Sequence, residues 1–221
     1  LNQTGPNSNN EEFENIGEAG VVGTMSQYVP GATIIGLKMQ DGVLLVAEKR
    51  TTYGRFIATK KTKKVFRITD TVGAACAGMT ADVHEVVRQV RAMIKLKELR
   101  TRAPAKVNSV AKLTSVLLHQ NRLYPLITQI LIGGYNGGPG LYSLDPLGSI
   151  IEDDYVTLGT GASIAVGVLE SRYKDGMTDE EAKDLALDAL KSAIGRDATS
   201  GDGADILVIK KDGIEEESVV F

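Results

Sequence analysis

With one cysteine, two histidines and no tryptophan in 221 residues, the chain lacks the raw material for several common chemistries. A lone Cys76 cannot build an internal disulfide framework, and it fits a reducing, cytoplasmic setting. Its neighbours in Gly73-Ala74-Ala75-Cys76-Ala77-Gly78 are small, which points to a buried thiol rather than a reactive one. His84 and His119 lie far apart, each inside a helical pattern, and are assigned structural or surface roles. HExxH, CxxC and GxSxG are all missing, which sets aside zinc hydrolysis and the serine-hydrolase elbow. No apolar run reaches the roughly 18 residues of a membrane span, so no membrane helix is expected. The net charge of −3 lacks the basic excess of a nucleic-acid grip, and the basic run Lys60-Lys61, Lys63-Lys64 is expected to be mostly solvated. The acidic start of the chain has none of the marks of a signal peptide.

What is present is a large aliphatic fraction. Hydrophobic residues make up 43% and aromatics only 5%, so the core is expected to be Val, Ile, Leu and Ala held between layers of one large domain. Residues 1 to about 22 carry Asn-Ser-Asn-Asn and Glu-Glu with few large apolar groups, and are read as a mobile leader. From Gly31 onward the pattern changes. Thr33–Met39 and Val43–Glu48 are apolar and β-branched, and Asp41-Gly42 between them is a hairpin signal. Val65–Ile68 and Val72–Ala77 look like a second pair, giving an opening meander of about four strands. Val83 to Leu96 and Val107 to Leu118 recur at helical spacing on either side of Pro104. Strands return at Thr128–Ile132, Gly140–Leu144 and Tyr155–Leu158, with Gly133–Gly138 read as a Gly-rich turn. Ser163–Tyr173 reads as a third helix. The fourth opens on Thr178-Asp179-Glu180-Glu181, a capping box, and continues as an apolar stripe from Ala182 to Ile194. Ala204–Ile209 and a short last strand close the chain. Helices in consecutive pairs do not fit strict βαβ alternation, so the expected architecture is α+β: a four-layer αββα sandwich of two mainly antiparallel sheets.

Gly159-Thr160-Gly161-Ala162-Ser163, between a strand and a helix, has the look of a dinucleotide loop. The fingerprint asks for Gly or Ala at its sixth position, where Ile164 stands, and for a preceding βαβ unit. This loop is the sole support for a competing reading as an α/β binding domain.

The run Gly31-Ala32-Thr33-Ile34-Ile35-Gly36, followed in order by Asp41-Gly42, Glu48-Lys49-Arg50, Lys64, Cys76-Ala77-Gly78, Gly159-Thr160-Gly161 and Arg196-Asp197-Ala198-Thr199-Ser200-Gly201, carries a resemblance. From Gly31 on, the chain resembles the β subunits of the 20S proteasome, most closely the archaeal type, within the N-terminal nucleophile hydrolases. The resemblance implies a propeptide over residues 1–31, cut between Gly31 and position 32, and a domain over 32–221. In that family the residue after the cut is a threonine whose hydroxyl attacks the peptide carbonyl while its own α-amine helps move the proton. The resemblance places the acidic residue at Glu48, the lysine at Lys64, and the supporting Asp and Ser at Asp197 and Ser200. It places the oxyanion N–H at Gly78, and Thr160 where the family usually has Ser. Thr51, Thr52, Phe66, Cys76 and Thr80 fall at the substrate pocket, whose neutral lining suits apolar or uncharged side chains. Taken singly, Glu48, Lys64 and Asp197 read better as surface charges or strand-end ion pairs; their joint spacing from Gly31 reverses that and favours the site.

One position departs from the pattern. Ala32 stands at the nucleophile position, and a methyl group attacks nothing. Thr33 is not expected to replace it, because successive side chains on a strand face opposite ways. Gly23-Thr24 also looks like a cut site, but Met25-Ser26-Gln27 does not continue as a buried strand. Self-cleavage would use the same hydroxyl, so the expectation is a retained propeptide and an inactive precursor of a threonine endopeptidase. An introduced Thr→Ala exchange and a naturally silent subunit sharing its ring with active ones are the two accounts of the alanine. The resemblance further implies no metal or cofactor, heptameric β rings stacked face to face, α rings outside them, and an ATPase that feeds unfolded protein through the α ring.

Overall fold

The computed structural model describes residues 31–221. The expected leader, and all of the expected propeptide except Gly31, lie outside the described residues. The strands are β1 (Thr33–Met39), β2 (Gly42–Glu48), β3 (Thr51–Tyr53), β4 (Phe56–Thr59), β5 (Val65–Arg67), β6 (Val72–Gly78), β7 (Thr128–Tyr135), β8 (Pro139–Leu144), β9 (Ile150–Glu152), β10 (Tyr155–Gly159), β11 (Ala204–Lys210) and β12 (Gly213–Val219). The helices are α1 (Thr80–Thr101), α2 (Val107–Gln120), α3 (Ala162–Arg172) and α4 (Asp179–Ile194).

Two five-stranded sheets run in the orders β10-β1-β2-β11-β12 and β5-β6-β7-β8-β9, and every pairing within them is antiparallel. The apolar residues divide among three interfaces. Ile35, Leu37, Leu44 and Val46 pack under Leu185, Ala186, Ala189 and Leu190 of α4. Ala74, Ile130 and Ile132 pack under Val83, Val86 and Val90 of α1 and Val110 of α2. Ile34, Val43, Leu45, Leu131, Leu141, Leu207 and Ile209 fill the space between the sheets. These last seven are at most 1% exposed; burying each contributes roughly 1.5–3 kcal/mol, so the seam between the sheets is a principal source of stability. The αββα sandwich is therefore as expected.

The capping box is also in place. Glu181 N–H donates to Thr178 Oγ1 (3.4 Å) and Thr178 N–H donates to Glu181 Oε2 (2.9 Å). Three features depart from expectation. The opening meander has six strands, because β3 and β4 form a separate two-stranded ribbon turned at Gly54 (φ 57°). Every residue of β4 is exposed, so no burial pattern marks it in the sequence. The edge strand β9 is exposed throughout and goes unmarked for the same reason. Gly133 and Gly134 belong to β7 rather than to a turn. A Cβ on Gly133 would lie 2.7 Å from Val43 Cγ1 of the facing sheet, so this glycine permits close approach of the sheets.

This framework sets the position of residue 32. β1 lies between β10 and β2, with Thr33 opposite Gly159 and Ile34 opposite Ala47. Side chains then alternate: Ala32 and Ile34 face the seam between sheets, while Ile35 and Leu37 on the opposite parity from Ile34 face α4.

Candidate active site

Residue 32 sits at the mouth of the seam, at the junction of both sheets with the turn that follows α4. Glu48 ends β2 and is fully buried, and Lys64 immediately precedes β5. The Lys64 ammonium donates to Glu48 Oε1 and to the Arg50 carbonyl. Glu48 Oε2 accepts from the backbone N–H groups of Arg50 (2.6 Å) and Gly201 (3.1 Å). Burial pushes the Glu48 carboxyl up and the Lys64 ammonium down, each opposed by the charge of the other. The pair thus joins the first sheet, the second sheet and the 197–202 turn.

A second group surrounds Asp197. Its Oδ2 accepts from Thr160 Oγ1 (2.6 Å) and Ser200 Oγ (2.7 Å), and its Oδ1 from Thr199 Oγ1 (2.7 Å) and Thr199 N–H (3.0 Å). Burial alone would raise this carboxyl; the hydrogen bonds from Thr160, Thr199 and Ser200 outweigh it and hold Asp197 below the ordinary Asp range. Thr160 Oγ1 in turn accepts from the Ala32 N–H at 3.2 Å. A continuous path of hydrogen bonds therefore runs from the amide of residue 32 through Thr160 to Asp197. The methyl that Thr160 carries does not prevent its hydroxyl from reaching both partners.

Gly78 ends β6 with φ 139°, and a Cβ there would strike the Ile127 carbonyl oxygen. It helps line a cavity of about 360 Å³ together with Ala32, Ile127, Gln129, Pro146 and Thr160. Gly159 (φ 96°) and Gly161 are explained by the same crowding. A Cβ on Gly159 would strike the Ala32 carbonyl oxygen, and one on Gly161 would strike Thr33 Oγ1. The Gly-Thr-Gly run thus makes room for the start of β1, which accounts for it without a dinucleotide.

None of the residues assigned to a substrate pocket lines that cavity. Phe66 and Cys76 are turned into the core under α1, 8% and 1% exposed, and the Phe66 ring meets His84 edge-on. Burial pushes the Cys76 thiol up to about 12. Thr51 and Thr52 are buried at the start of β3, with Thr51 Oγ1 2.6 Å from Thr62 Oγ1, and Thr80 is half-buried at the start of α1. His84 and His119 are both exposed, and neither has a hydrogen bond to the groups around Ala32.

Three residues were given no part in the site by the sequence reading. Arg50 Nε donates to Asp202 Oδ2 (2.7 Å) and its Nη1 to the Ala198 carbonyl (3.0 Å), clamping the turn to β2. Thr33 Oγ1 lies 2.8 Å from Ser200 Oγ, and since the Ser200 proton goes to a carboxylate that only accepts, Thr33 is the donor. Thr33 is thereby occupied on the face away from the seam. Thr199 completes the shell around Asp197. A buried hydroxyl in an apolar strand, as at Thr33, was the available signal.

Two packed antiparallel sheets between helix pairs are the fold of the N-terminal nucleophile hydrolases. A family model described as "Proteasome subunit" matches residues 29–209. "Proteasome subunit beta 1" of Nitrosopumilus maritimus is 46% identical over 192 residues, covering 87% of this chain and 97% of that protein. "Proteasome subunit beta 1" of Cenarchaeum symbiosum is 44% identical over 188 residues, covering 85% and 97%. "Proteasome subunit beta 2" of Thermofilum pendens is 47% identical over 193 residues, covering 87% and 94%. The chain belongs to the proteasome β-subunit family, whose chemistry is that of threonine endopeptidases and whose members assemble with other proteasome subunits. No helix among the described residues is long and apolar enough to cross a membrane.

Proposed function

We propose that this chain is a β subunit of a 20S-type proteasome, a threonine endopeptidase held as an inactive precursor because Ala32 replaces the nucleophile. The observation that carries the reading is the hydrogen-bonded path from the Ala32 amide through Thr160 to Asp197 and Ser200, in the turn whose Gly201 N–H also binds the buried Glu48–Lys64 pair, at a residue that has no reactive atom. The Ala32 N–H donates to Thr160 at the head of that path, and the Ala32 methyl is 1% exposed in the seam. With a hydroxyl at position 32, the oxygen would add to the Gly31 carbonyl carbon and its proton would pass to a basic group nearby. The amine of residue 32 would then leave, and water would release residues 1–31 from the resulting ester. The freed α-amine would take over as the proton carrier for peptide substrates, with Thr160, Asp197 and Ser200 holding it. Glu48 would keep Lys64 charged, and an ammonium close by would favour the deprotonated nucleophile. The N–H of Gly78 would face the developing oxyanion. In this reading Thr51, Thr52 and Thr80 line the pocket ahead of the cut, suited to apolar or uncharged side chains, and Phe66 and Cys76 back it from the core under α1.

The working assembly in this reading is a cytoplasmic particle of stacked β rings capped by α rings, supplied with unfolded polypeptide by an ATPase. The test is Ala32→Thr in the full chain, co-expressed with α subunits and followed by intact mass and peptide hydrolysis. The expected result is loss of residues 1–31 and gain of activity. An assembled Ala32→Thr particle that keeps the whole chain and cleaves nothing would refute it, and would favour a naturally silent structural subunit.

A further inference from the structure

We propose that Thr199 dictates which residue can precede the cut, by filling the space that a side chain at position 31 would need. The inference rests on the reading of Gly31–Ala32 as the processing junction. A Cβ built on Gly31 would overlap both Oγ1 and Cβ of Thr199 and would lie 2.9 Å from Thr160 Oγ1. Ordinary carbon contacts need roughly 3.5–4.0 Å. Gly78 and Gly159 lie at φ 139° and 96°, where a side chain is strained by the backbone itself; at Gly31 the obstacle described is the packed Thr199 side chain.

Clashes with the tip of a flexible side chain are often relieved by rotation, but Thr199 is not free to rotate. It is β-branched and stiff at χ1. Its Oγ1 donates to Asp197 Oδ1 at 2.7 Å and lies 2.9 Å from Thr160 Oγ1, and its own N–H donates to the same Asp197 oxygen. The turn as a whole is also held. Arg50 Nη1 bonds the Ala198 carbonyl, and Gly201 N–H bonds Glu48. Moving Thr199 aside would undo the shell around Asp197, the group that orients Thr160 beneath the Ala32 amide. A side chain at position 31 must therefore displace either the scissile peptide or the carboxylate network.

The experiment is a double-substitution cycle read in two ways. In the Ala32→Thr chain co-expressed with α subunits, processing is timed by intact mass for Gly31→Ala, for Thr199→Gly and for both together. Gly31→Ala is expected to slow cleavage by about 100-fold or more, as for a displaced reacting group. Adding Thr199→Gly is expected to bring the rate back to within about tenfold of Thr199→Gly alone. Gly31→Ala that matures at the parent rate, or a double variant no faster than Gly31→Ala while Thr199→Gly matures, would overturn the inference. The second reading uses the chain with Ala32 in place, where no cleavage is needed. There Gly31→Ala should lower the thermal midpoint, and Thr199→Gly should remove that loss; strictly additive shifts would overturn the inference. If Ala32→Thr itself fails to mature, the junction reading fails, and the thermal cycle still decides whether Thr199 fills the space beside Gly31.

Discussion

Exchanging Glu48 for glutamine keeps the shape of the side chain and removes its charge, and the structure allows the cost to be worked out. The Glu48 and Lys64 side chains are 0% and 9% exposed, so water screens neither. The carboxylate accepts from Lys64 and from two backbone N–H groups, those of Arg50 and Gly201. A glutamine has one acceptor oxygen. Its NH2 must face either the ammonium or the backbone donors, leaving at least one buried donor unpaired. An uncompensated buried charge costs about 3–5 kcal/mol, a large share of the roughly 5–15 kcal/mol that holds a domain together. Lys64→Met should cost a similar amount, since it strands the carboxylate instead.

The two variants separate in their pH dependence. In Glu48→Gln, burial holds the Lys64 pKa below its ordinary value of 10.5, and the raising influence of Glu48 is gone. Between the folded and unfolded pKa the unfolded chain binds more protons, so stability rises with pH and the deficit shrinks toward pH 10.5. In Lys64→Met, burial holds the Glu48 pKa above 4.5 with nothing to lower it but the backbone donors. Between 4.5 and the folded pKa the native state binds more protons, so stability falls as pH rises and the deficit is smallest at the acid end. Denaturant titrations across pH measure both slopes. A Glu48→Gln loss below about 1 kcal/mol at neutral pH, or slopes of the same sign in both variants, would refute the reasoning.

Two further predictions test the frame. Thr178→Ala removes one side of the capping box on α4 and should cost about 1 kcal/mol in denaturant unfolding; a loss under about 0.3 kcal/mol would mean the cap contributes nothing. Gly133→Ala drives a methyl into Val43 and Leu45 across the seam and should cost about 1–3 kcal/mol, whereas Gly138→Ala, with open space around it, should stay within about 0.5 kcal/mol; equal effects would mean that the sheets yield freely at Gly133.

Most of the fold was legible in the sequence because most of its elements bury one face. β1, β2, β6 and α4 carry unbroken apolar patterns, and the α4 cap is a four-residue signal. β4 and β9 were illegible for the opposite reason, being exposed on every residue. Gly133 and Gly134 misled because a glycine that admits a facing sheet looks, in one dimension, like a glycine that turns the chain. The Gly159–Gly161 loop has the look of a phosphate cradle for a related reason, although Ile164 already spoke against one; its bareness serves the start of β1. Of the site, Glu48, Lys64 and Asp197 are spaced too far apart to be linked by pattern alone, and only a family resemblance joined them. Thr33 and Arg50 act through contacts made across more than a hundred residues of chain, and Thr199 meets Thr160 across 39, which no local pattern carries.

Glu48 closes a strand of one sheet, Lys64 opens a strand of the other, and the 197–202 turn bridges the two. Neither half of the sandwich owns the pair. Any slippage of one sheet over the other separates an acid from its base before it exposes much greasy surface. The pair is thus a gauge of whether the halves have seated fully, and a domain assembled slightly out of true would part it while keeping its shape.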